Sequence, residues 1–322
     1  MNKCIIDNFQ LLIQQYIEEK PSNYSFKIRT CNKVISTIND LDFELENSKQ
    51  LKNTKGIGQK TLDKIDEIIN SDKKLLKEIK NTENSIEKKI KINDELQKLK
   101  TVTGIGPAKA KSLLEKNISL DILLDAFKKS NNEILSNLTH HQLLGLKYYT
   151  DLEHKIPRNI IEQFDNNLKT IFPQFKYKIC GSYRRKKNES GDIDLLFSFD
   201  SNYPYLNLDL IVNELIDKNI IVDSLTDKGD TKFMGFAKLS DYKYAMRIDI
   251  RIIPEKSFPF GTLYFTGSKK TNTYMRNIAI KNGLKLSEYG LEDKNGKSIK
   301  NLNSEQDIFK YLNLDYLEPE NR

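Results

Sequence analysis

Two short segments constrain this chain more than any others. The first, Gly191-Asp192-Ile193-Asp194-Leu195-Leu196-Phe197, alternates polar and apolar residues as a strand does, side chains pointing to opposite faces in turn. Asp192 and Asp194 then share one face, while Ile193, Leu195 and Phe197 take the other against a core. The second, Arg247-Ile248-Asp249-Ile250-Arg251, repeats the logic: Ile248 and Ile250 face inward and Asp249 stands between two arginines. If the two strands pair, three carboxylates converge. Such a cluster repels itself unless cations lie within it. Oxygen donors of this kind suit Mg²⁺, which keeps phosphate oxygens in its shell. Two such ions about 4 Å apart would activate an attacking oxygen and stabilise a leaving one. Asp192 and Asp194 would bridge both ions, and Asp249 would hold the catalytic one.

A lone Asp-x-Asp is most often a solvated strand end. What changes the reading is Gly181-Ser182, a turn ten residues before Gly191. Ser182, Arg185 and the amide of Gly191 suit a triphosphate, because arginine grips phosphate with two donors and the hydroxyl and amide add directional ones.

The surrounding chain changes character midway. Ile5, Phe9, Leu12, Ile13 and Tyr16 recur at helical spacing; Pro21-Ser22-Asn23 breaks the pattern; Ile28, Val34, Ile35 and Ile38 resume it. Later segments (177–181, 193–199, 233–239, 246–253 and 263–265) read as strands, with helical stretches such as 207–219 between them. The expected fold class is α+β: an all-helical N-terminal part followed by a domain built on a sheet. No run approaches the roughly 20 apolar residues of a membrane helix, and Met1-Asn2-Lys3-Cys4-Ile5-Ile6-Asp7 lacks the apolar core of a secretory signal. The 3 cysteines (Cys4, Cys31 and Cys180) are too far apart for a metal site and fit a reducing, intracellular compartment. Nucleus and cytoplasm both remain open.

One element repeats. Leu51-Lys52-Asn53-Thr54-Lys55-Gly56-Ile57-Gly58 is echoed 48 residues later by Leu99-Lys100-Thr101-Val102-Thr103-Gly104-Ile105-Gly106-Pro107. Each reads as a tight turn whose glycines let another backbone approach, opening a lysine-bearing helix. Free amides at a helix N-terminus favour an anion, and Pro107 suits a first helical position. Gly56, Gly58, Gly104 and Gly106 are thus candidate phosphate contacts, with Lys60, Lys109 and Lys111 nearby and Ile57 and Ile105 as core anchors. A single Gly-x-Gly is an ordinary turn; two copies with matching flanks point to a DNA backbone, held without reading sequence. The net charge of +7 agrees, since residues 51–116 carry 16 lysines against 10 acidic residues. Charge alone would equally describe a solvated lysine-rich surface.

The repeats resemble helix-hairpin-helix motifs, in which hairpin carbonyls hold a monovalent cation. The resemblance implies Na⁺ or K⁺ on Lys52, Thr54 and Ile57, and on Lys100, Val102 and Ile105. Gly-Ser with Gly-Asp-x-Asp is similar to the nucleotidyltransferase superfamily. His140-His141-Gln142, Gly145-Leu146-Lys147-Tyr148, Ile156-Pro157-Arg158, Thr231-Lys232-Phe233-Met234-Gly235 and Leu263-Tyr264-Phe265-Thr266-Gly267-Ser268 extend the likeness, in order, to the family X DNA polymerases, most closely DNA polymerase beta. That resemblance implies gap filling in base excision repair on gapped or nicked double-stranded DNA with dNTPs. It implies a monomer using two Mg²⁺ (Mn²⁺ as a substitute), no membrane, and a DNA ligase and other repair proteins as partners. It implies four parts: 1–82, a lyase domain with the first hairpin; 83–150, a helical DNA-binding subdomain with the second; 151–256, a catalytic palm; and 257–322, a nucleotide-selecting subdomain.

The same resemblance assigns Tyr264, Phe265 and Gly267 to the sugar of the incoming nucleotide, Asn272 to its base edge and Arg276 to the template side. Glu288 and Tyr289 would hold Arg276 in the open state. Lys155 would reach the triphosphate and Lys232 the DNA. Arg251 would pair with Asp192 or Asp194 between turnovers. Lys269, Thr273 and Lys155 depart from the family pattern, which touches nucleotide selection and no metal ligand. Lys64, four residues after Lys60, matches the 5′-deoxyribose phosphate lyase nucleophile, and a neighbouring cation would favour its free amine. The helix carrying it would bury Leu62, Ile65 and Ile69. Upstream, Asn23-Tyr24-Ser25-Phe26-Lys27-Ile28-Arg29 departs from the family's phosphate-binding residues. Two other readings share parts of this pattern: a template-independent nucleotidyltransferase and a noncatalytic DNA-binding scaffold.

Overall fold

Helical periodicity and strand alternation sort themselves into two compact units, residues 1–101 with 105–122, and residues 102–104 with 123–322. The computed structural model describes residues 2–41, 43–52, 54–71, 76–79, 83–199, 206–226 and 229–322, without the side chains of 18 and 83–90. Asn53 of the first repeat and the expected boundary at residue 82 lie outside the described residues.

The first unit contains α1 (Asn2–Glu19), α2 (Tyr24–Asn39), α3 (Gln59–Asn70), α4 (Glu83–Thr101) and α5 (Pro107–Glu115). The break before α2 is Asn23, whose φ of 61° turns the chain into the helix. Ile5, Phe9, Leu12 and Tyr16 from α1 meet Val34 and Ile38 from α2 in one core. On α3 the buried stripe is Leu62, Ile65 and Ile68, while Ile69, expected within it, packs only at its edge. A step of three residues turns this short stripe slightly around the helix, and that slip exchanges neighbouring isoleucines. Ile57, expected as a hairpin anchor, is buried in the same core.

The second unit centres on a five-stranded mixed sheet. Its strands are β1 (Tyr177–Ile179), β2 (Ile193–Phe199), β3 (Ile221–Ser224), β4 (Lys232–Ala237) and β5 (Met246–Pro254), in spatial order β1-β2-β5-β4-β3. β2 and β5 run parallel; the other pairs are antiparallel. Every second residue of β5 from Met246 to Ile252 is buried, and Arg247, Asp249 and Arg251 alternate with them. Helices α6 (Arg158–Ile171) and α7 (Leu208–Asp217) cover that apolar face with Ile160, Ile161, Phe164, Leu168, Ile211 and Leu215. With two helices on one face, the carboxylates are left to the other.

That other face is closed at one end by α8 (Phe258–Thr266), followed by α9 (Lys269–Lys281) and α10 (Glu305–Tyr311). The strand expected at 263–265 is therefore helix. A short, wholly apolar run has no period that separates a strand from a buried helix. Here Pro259 in the first turn favours the helix, and Phe260 and Leu263 pack on Met275, Ala279, Ile308 and Phe309. The chain is thus α+β, helical at its N-terminal end and mixed thereafter. Among the described residues, no helix is long and apolar enough to cross a membrane.

Phe164 is fully buried between α6 and the sheet. Phe164→Ala is expected to destabilise the second unit by about 3–5 kcal/mol, read as a drop in its midpoint in urea; a change below 1 kcal/mol would contradict this packing.

Candidate active site

The parallel pairing of β2 with β5 sets Asp194 directly beside Asp249, and Asp192 lies just before β2 on the same edge. Partners in parallel register project to one side of the sheet, so the carboxylates meet as the two sequence segments imply. Burial, then repulsion from Asp249, raises the pKa of Asp192. Burial, then Asp192 and Asp249, pushes Asp194 up to about 7. Among the described residues, no three His, Cys, Asp or Glu side chains already form a metal-holding group. Asp249 is instead engaged by the Nε of Arg247, 3.3 Å from its Oδ1. The donors are all oxygen and their charges oppose one another, which fits divalent cations of the Mg²⁺ type. Arg251, expected on Asp192 or Asp194, lies with its guanidinium 5.7 Å from the Phe265 ring centre.

The Gly-Ser turn is a single helical turn, Gly181–Arg184. Gly181 has a φ of +58°, and a Cβ there would run into the Asp194 carboxylate. The Cys180 amide donates to the Asp194 carbonyl at 2.8 Å, fastening the turn to β2. Only glycine meets both demands. Arg185 donates to the Thr266 carbonyl at 2.5 Å, so its guanidinium lies beside Gly267.

Between this turn and α8–α9 lies a cavity of about 540 Å³. It is lined by Gly181, Ser182, Arg185, Asp192 and Asp194 on one side, and by Tyr264, Phe265, Gly267, Ser268, Lys269, Asn272, Thr273 and Arg276 on the other. The volume suits a nucleoside triphosphate. Asn272 donates to the Tyr264 carbonyl at 2.7 Å. Arg276 lies 3.8 Å from Glu288 and over the Tyr264 ring, 4.9 Å from its centre. Gly191 and Lys155 do not line the cavity; they adjoin each other, a Cβ on Gly191 falling 3.4 Å from the Lys155 Nζ. Lys232 pairs with Arg251 across β4 and β5. A larger cavity, about 860 Å³, opens near Gln163, Asn166, Lys218 and Asp241 and is lined by no predicted site residue.

The glycine repeats also share a backbone. Gly56 and Gly104 have φ of +93° and +85°. Gly58 and Gly106 are extended N-caps of α3 and α5, without side-chain caps and with open space where a Cβ would stand. The early amides, from Gln59 in α3 and from Ala108 in α5 after Pro107, thus follow a glycine that gives them no side-chain cap, an arrangement that suits an anion. Of the hairpin carbonyls, that of Thr54 accepts the Ile57 amide at 3.1 Å. Lys100 and Ile105 belong to the first unit and Val102 to the second.

Lys64 is turned inward from α3, its side chain 26% exposed, whereas Lys60 is exposed. Lys64 forms an ion pair with Glu78, with the Tyr16 hydroxyl 3.4 Å from its Nζ. Sequence reading missed Glu78 and Tyr16, as well as Arg247. It also missed the grip on the Gly-Ser turn, where Arg184 binds Glu305 with both terminal nitrogens and Thr266 with one. Only Arg247, alternating with Asp249 on one strand, carried a local signal.

A carboxyl that keeps its proton to higher pH when folded contributes stability that is lost as pH rises between its unfolded and folded pKa values. For Asp194 that window runs from 3.8 to about 7. In cation-free buffer, Asp194→Asn is expected to melt increasingly above the parent protein as pH rises through this window. A constant difference in melting temperature from pH 4 to 8 would contradict it.

Comparison with known proteins agrees with this geometry. Residues 1–74 match a helix-hairpin-helix domain, residues 155–255 the DNA polymerase beta palm and residues 261–322 the DNA polymerase beta thumb. DNA polymerase lambda of Arabidopsis thaliana is 27% identical over 352 residues, covering 100% of this chain and 62% of that protein. DNA polymerase lambda of Rattus norvegicus is 29% identical over 208 residues, covering 58% of this chain and 36% of that protein. The DNA polymerase/3′-5′ exonuclease PolX of Bacillus subtilis is 27% identical over 336 residues, covering 100% of this chain and 55% of that protein. The chain therefore spans less than two thirds of the length of each of these curated relatives. With palm, thumb and helix-hairpin-helix matched in order and the paired aspartates in place, the chain belongs to the family X DNA polymerases.

Proposed function

We propose that this protein is a DNA-directed DNA polymerase that fills short gaps during intracellular base excision repair, with a 5′-deoxyribose phosphate lyase activity on Lys64. The observation that carries the polymerase reading is the register of Asp194 against Asp249 beside a cavity of nucleotide size. Divalent cations held by Asp192, Asp194 and Asp249, Mg²⁺ with Mn²⁺ as a substitute, would neutralise phosphoryl charge and lower the pKa of the primer 3′-hydroxyl.

The chain's own residues bind and orient. Ser182, Arg185 and the Gly191 amide hold the triphosphate, and Lys155 adds positive charge beside Gly191. Tyr264, Phe265 and Gly267 wall the sugar and leave no room for a 2′-hydroxyl. Asn272 exchanges its bond to the Tyr264 carbonyl for the base edge, and Arg276 leaves Glu288 for the template as the pocket closes. Lys269 and Thr273 also face this pocket, so the ammonium raises affinity for a dNTP with little regard to its base.

The amides opening α3 and α5, past Gly58 and Gly106, hold the DNA backbone on either side of the gap. Na⁺ or K⁺ would share the hairpin carbonyls of Lys52, Thr54 and Ile57 and of Lys100, Val102 and Ile105. A DNA ligase acting next would seal the nick. On Lys64, the amine attacks the abasic aldehyde to form a Schiff base.

Asp249→Ala is expected to lower extension of a gapped primer by roughly 10³-fold or more while gel-shift binding to the same DNA persists; retained extension would reject the carboxylate assignment. Extension of a primer that stops when the template strand is omitted distinguishes this reading from template-independent transfer. Incorporation of labelled dNTP with Mg²⁺ distinguishes it from a noncatalytic scaffold. Borohydride should trap the protein on a 5′-abasic end, and Lys64→Ala should abolish the trapping.

A further inference from the structure

Glu78 reaches Lys64 from outside its helix, 14 residues further along the chain. Its Oε2 pairs with the Lys64 Nζ, and its Oε1 accepts the Tyr16 hydroxyl at 2.8 Å. The same hydroxyl lies 3.4 Å from the Lys64 Nζ. Amine, carboxylate and phenol thus form a closed triangle. Tyr16 is its buried floor, 5% exposed and packed in the core of α1. Lys64 and Glu78 are its open side, with side chains 26% and 40% exposed. From α2, the Lys27 ammonium lies 5.0 Å from the Tyr16 ring centre, and buried Cys31 adds a thiol; Glu19 of α1 also acts on Tyr16.

We infer that Glu78 is the catalytic base of the lyase step, the group that removes the C2′ proton once the sugar is bound to Lys64. This rests on the reading of Lys64 as the lyase nucleophile. In the imine, Nζ is bonded to C1′, so C2′ stands only about 2.5 Å from Nζ by ordinary bond geometry. A carboxylate already in contact with Nζ is therefore within proton-transfer reach of the C2′ hydrogen. Tyr16 fixes that carboxylate by its second oxygen, a constraint that a mere ion pair does not need.

The step balances without any further reactant. Lys64 enters as the ammonium paired with Glu78. It gives up one proton to add to the C1′ aldehyde, a second proton moves from nitrogen to the carbinolamine oxygen, and water leaves as the first proton returns, to give the protonated imine. Glu78 takes the C2′ proton, and the electron pair of the C2′–H bond becomes a C2′=C3′ double bond. The C3′–O bond breaks, and its electrons leave on the oxygen of the 5′-phosphorylated DNA. Water then hydrolyses the imine, freeing Lys64 and the unsaturated sugar phosphate. Burial opposes ionisation of Glu78, but the donors on Lys64 and Tyr16 outweigh it and hold its pKa below the usual carboxylate range. The base is thus ionised at neutral pH.

Two readouts separate the stages on 5′-incised abasic DNA: borohydride trapping reports imine formation, and release of the 5′-phosphorylated strand reports elimination. Glu78→Gln is expected to keep trapping and to slow release by about 10²-fold or more, with Glu78→Asp recovering part of the loss. The melting temperature of each variant shows that the unit remains folded. Release by Glu78→Gln at the parent rate would overturn the inference. So would equal loss of trapping and release, which would make Glu78 a tether for Lys64. Undiminished trapping by Lys64→Ala would overturn the lyase reading itself, and this inference with it.

Discussion

Holding Asp192, Asp194 and Asp249 together in a partly dry site is unfavourable by itself, and much of the second unit is arranged around that constraint. Burial and mutual repulsion raise two of the three carboxyl pKa values. The spacing of the aspartates comes from the sheet, whose parallel β2–β5 register fixes Asp194 against Asp249. The sheet can hold that register because its opposite face is packed with Ile193, Leu195, Phe197, Ile248 and Ile250 under two helices. The apolar half of each alternating strand thus holds the acidic half in place. Arg247, Arg185 and Lys155 offset part of the repulsion without filling the site.

A second, drier set of charges connects this sheet to the helices beyond it. Arg184, inside the Gly-Ser turn, binds Glu305 at the start of α10, and Arg322 reaches the same carboxylate at 2.6 Å. Arg184 also holds the Thr266 hydroxyl, while its neighbour Arg185 holds the Thr266 carbonyl. One turn therefore lines the cavity beside Asp192 and Asp194 and grips the residue just before Gly267 on the opposite wall. Buried ion networks add little net stability over apolar packing, but they tolerate few alternative arrangements. Here the network ties the turn that lines one wall of the cavity to Thr266 and Glu305.

Much of the palm is legible in the sequence because strand alternation is a local signal. Ile193, Leu195 and Phe197 declare the core face, and Asp192, Asp194 and Asp249 declare the other. The hairpins are legible because they repeat, and the repeat extends to the sign of φ at Gly56 and Gly104. What escaped has no local period. Glu305 and Arg322 lie 121 and 17 residues from the groups they serve, Arg184 and Glu305 respectively. The apolar run ending at Phe265 matched strand and buried helix equally until its packing on α9 and α10 decided the matter. Arg251 lies by the Phe265 ring, and the arginine found on a carboxylate is Arg247, four residues earlier on the same face, which meets Asp249.

The two units treat ionisable groups in opposite ways. The second unit keeps Asp192, Asp194 and Asp249 close with only partial neutralisation by Arg247, Lys155 and Arg185. The first unit pairs its acid with its base directly, Glu78 on Lys64 over a buried Tyr16. A cluster of like charges needs a rigid frame, because repulsion alone would drive its members apart; a five-stranded sheet provides one. An ion pair is cohesive and tolerates a lighter scaffold, so a few helices and a short segment carrying Glu78 suffice. The same division explains why the carboxylates announce themselves through strand alternation, whereas the lysine, one of 52 Lys and Arg residues, gains its distinction only from the tertiary contacts around it.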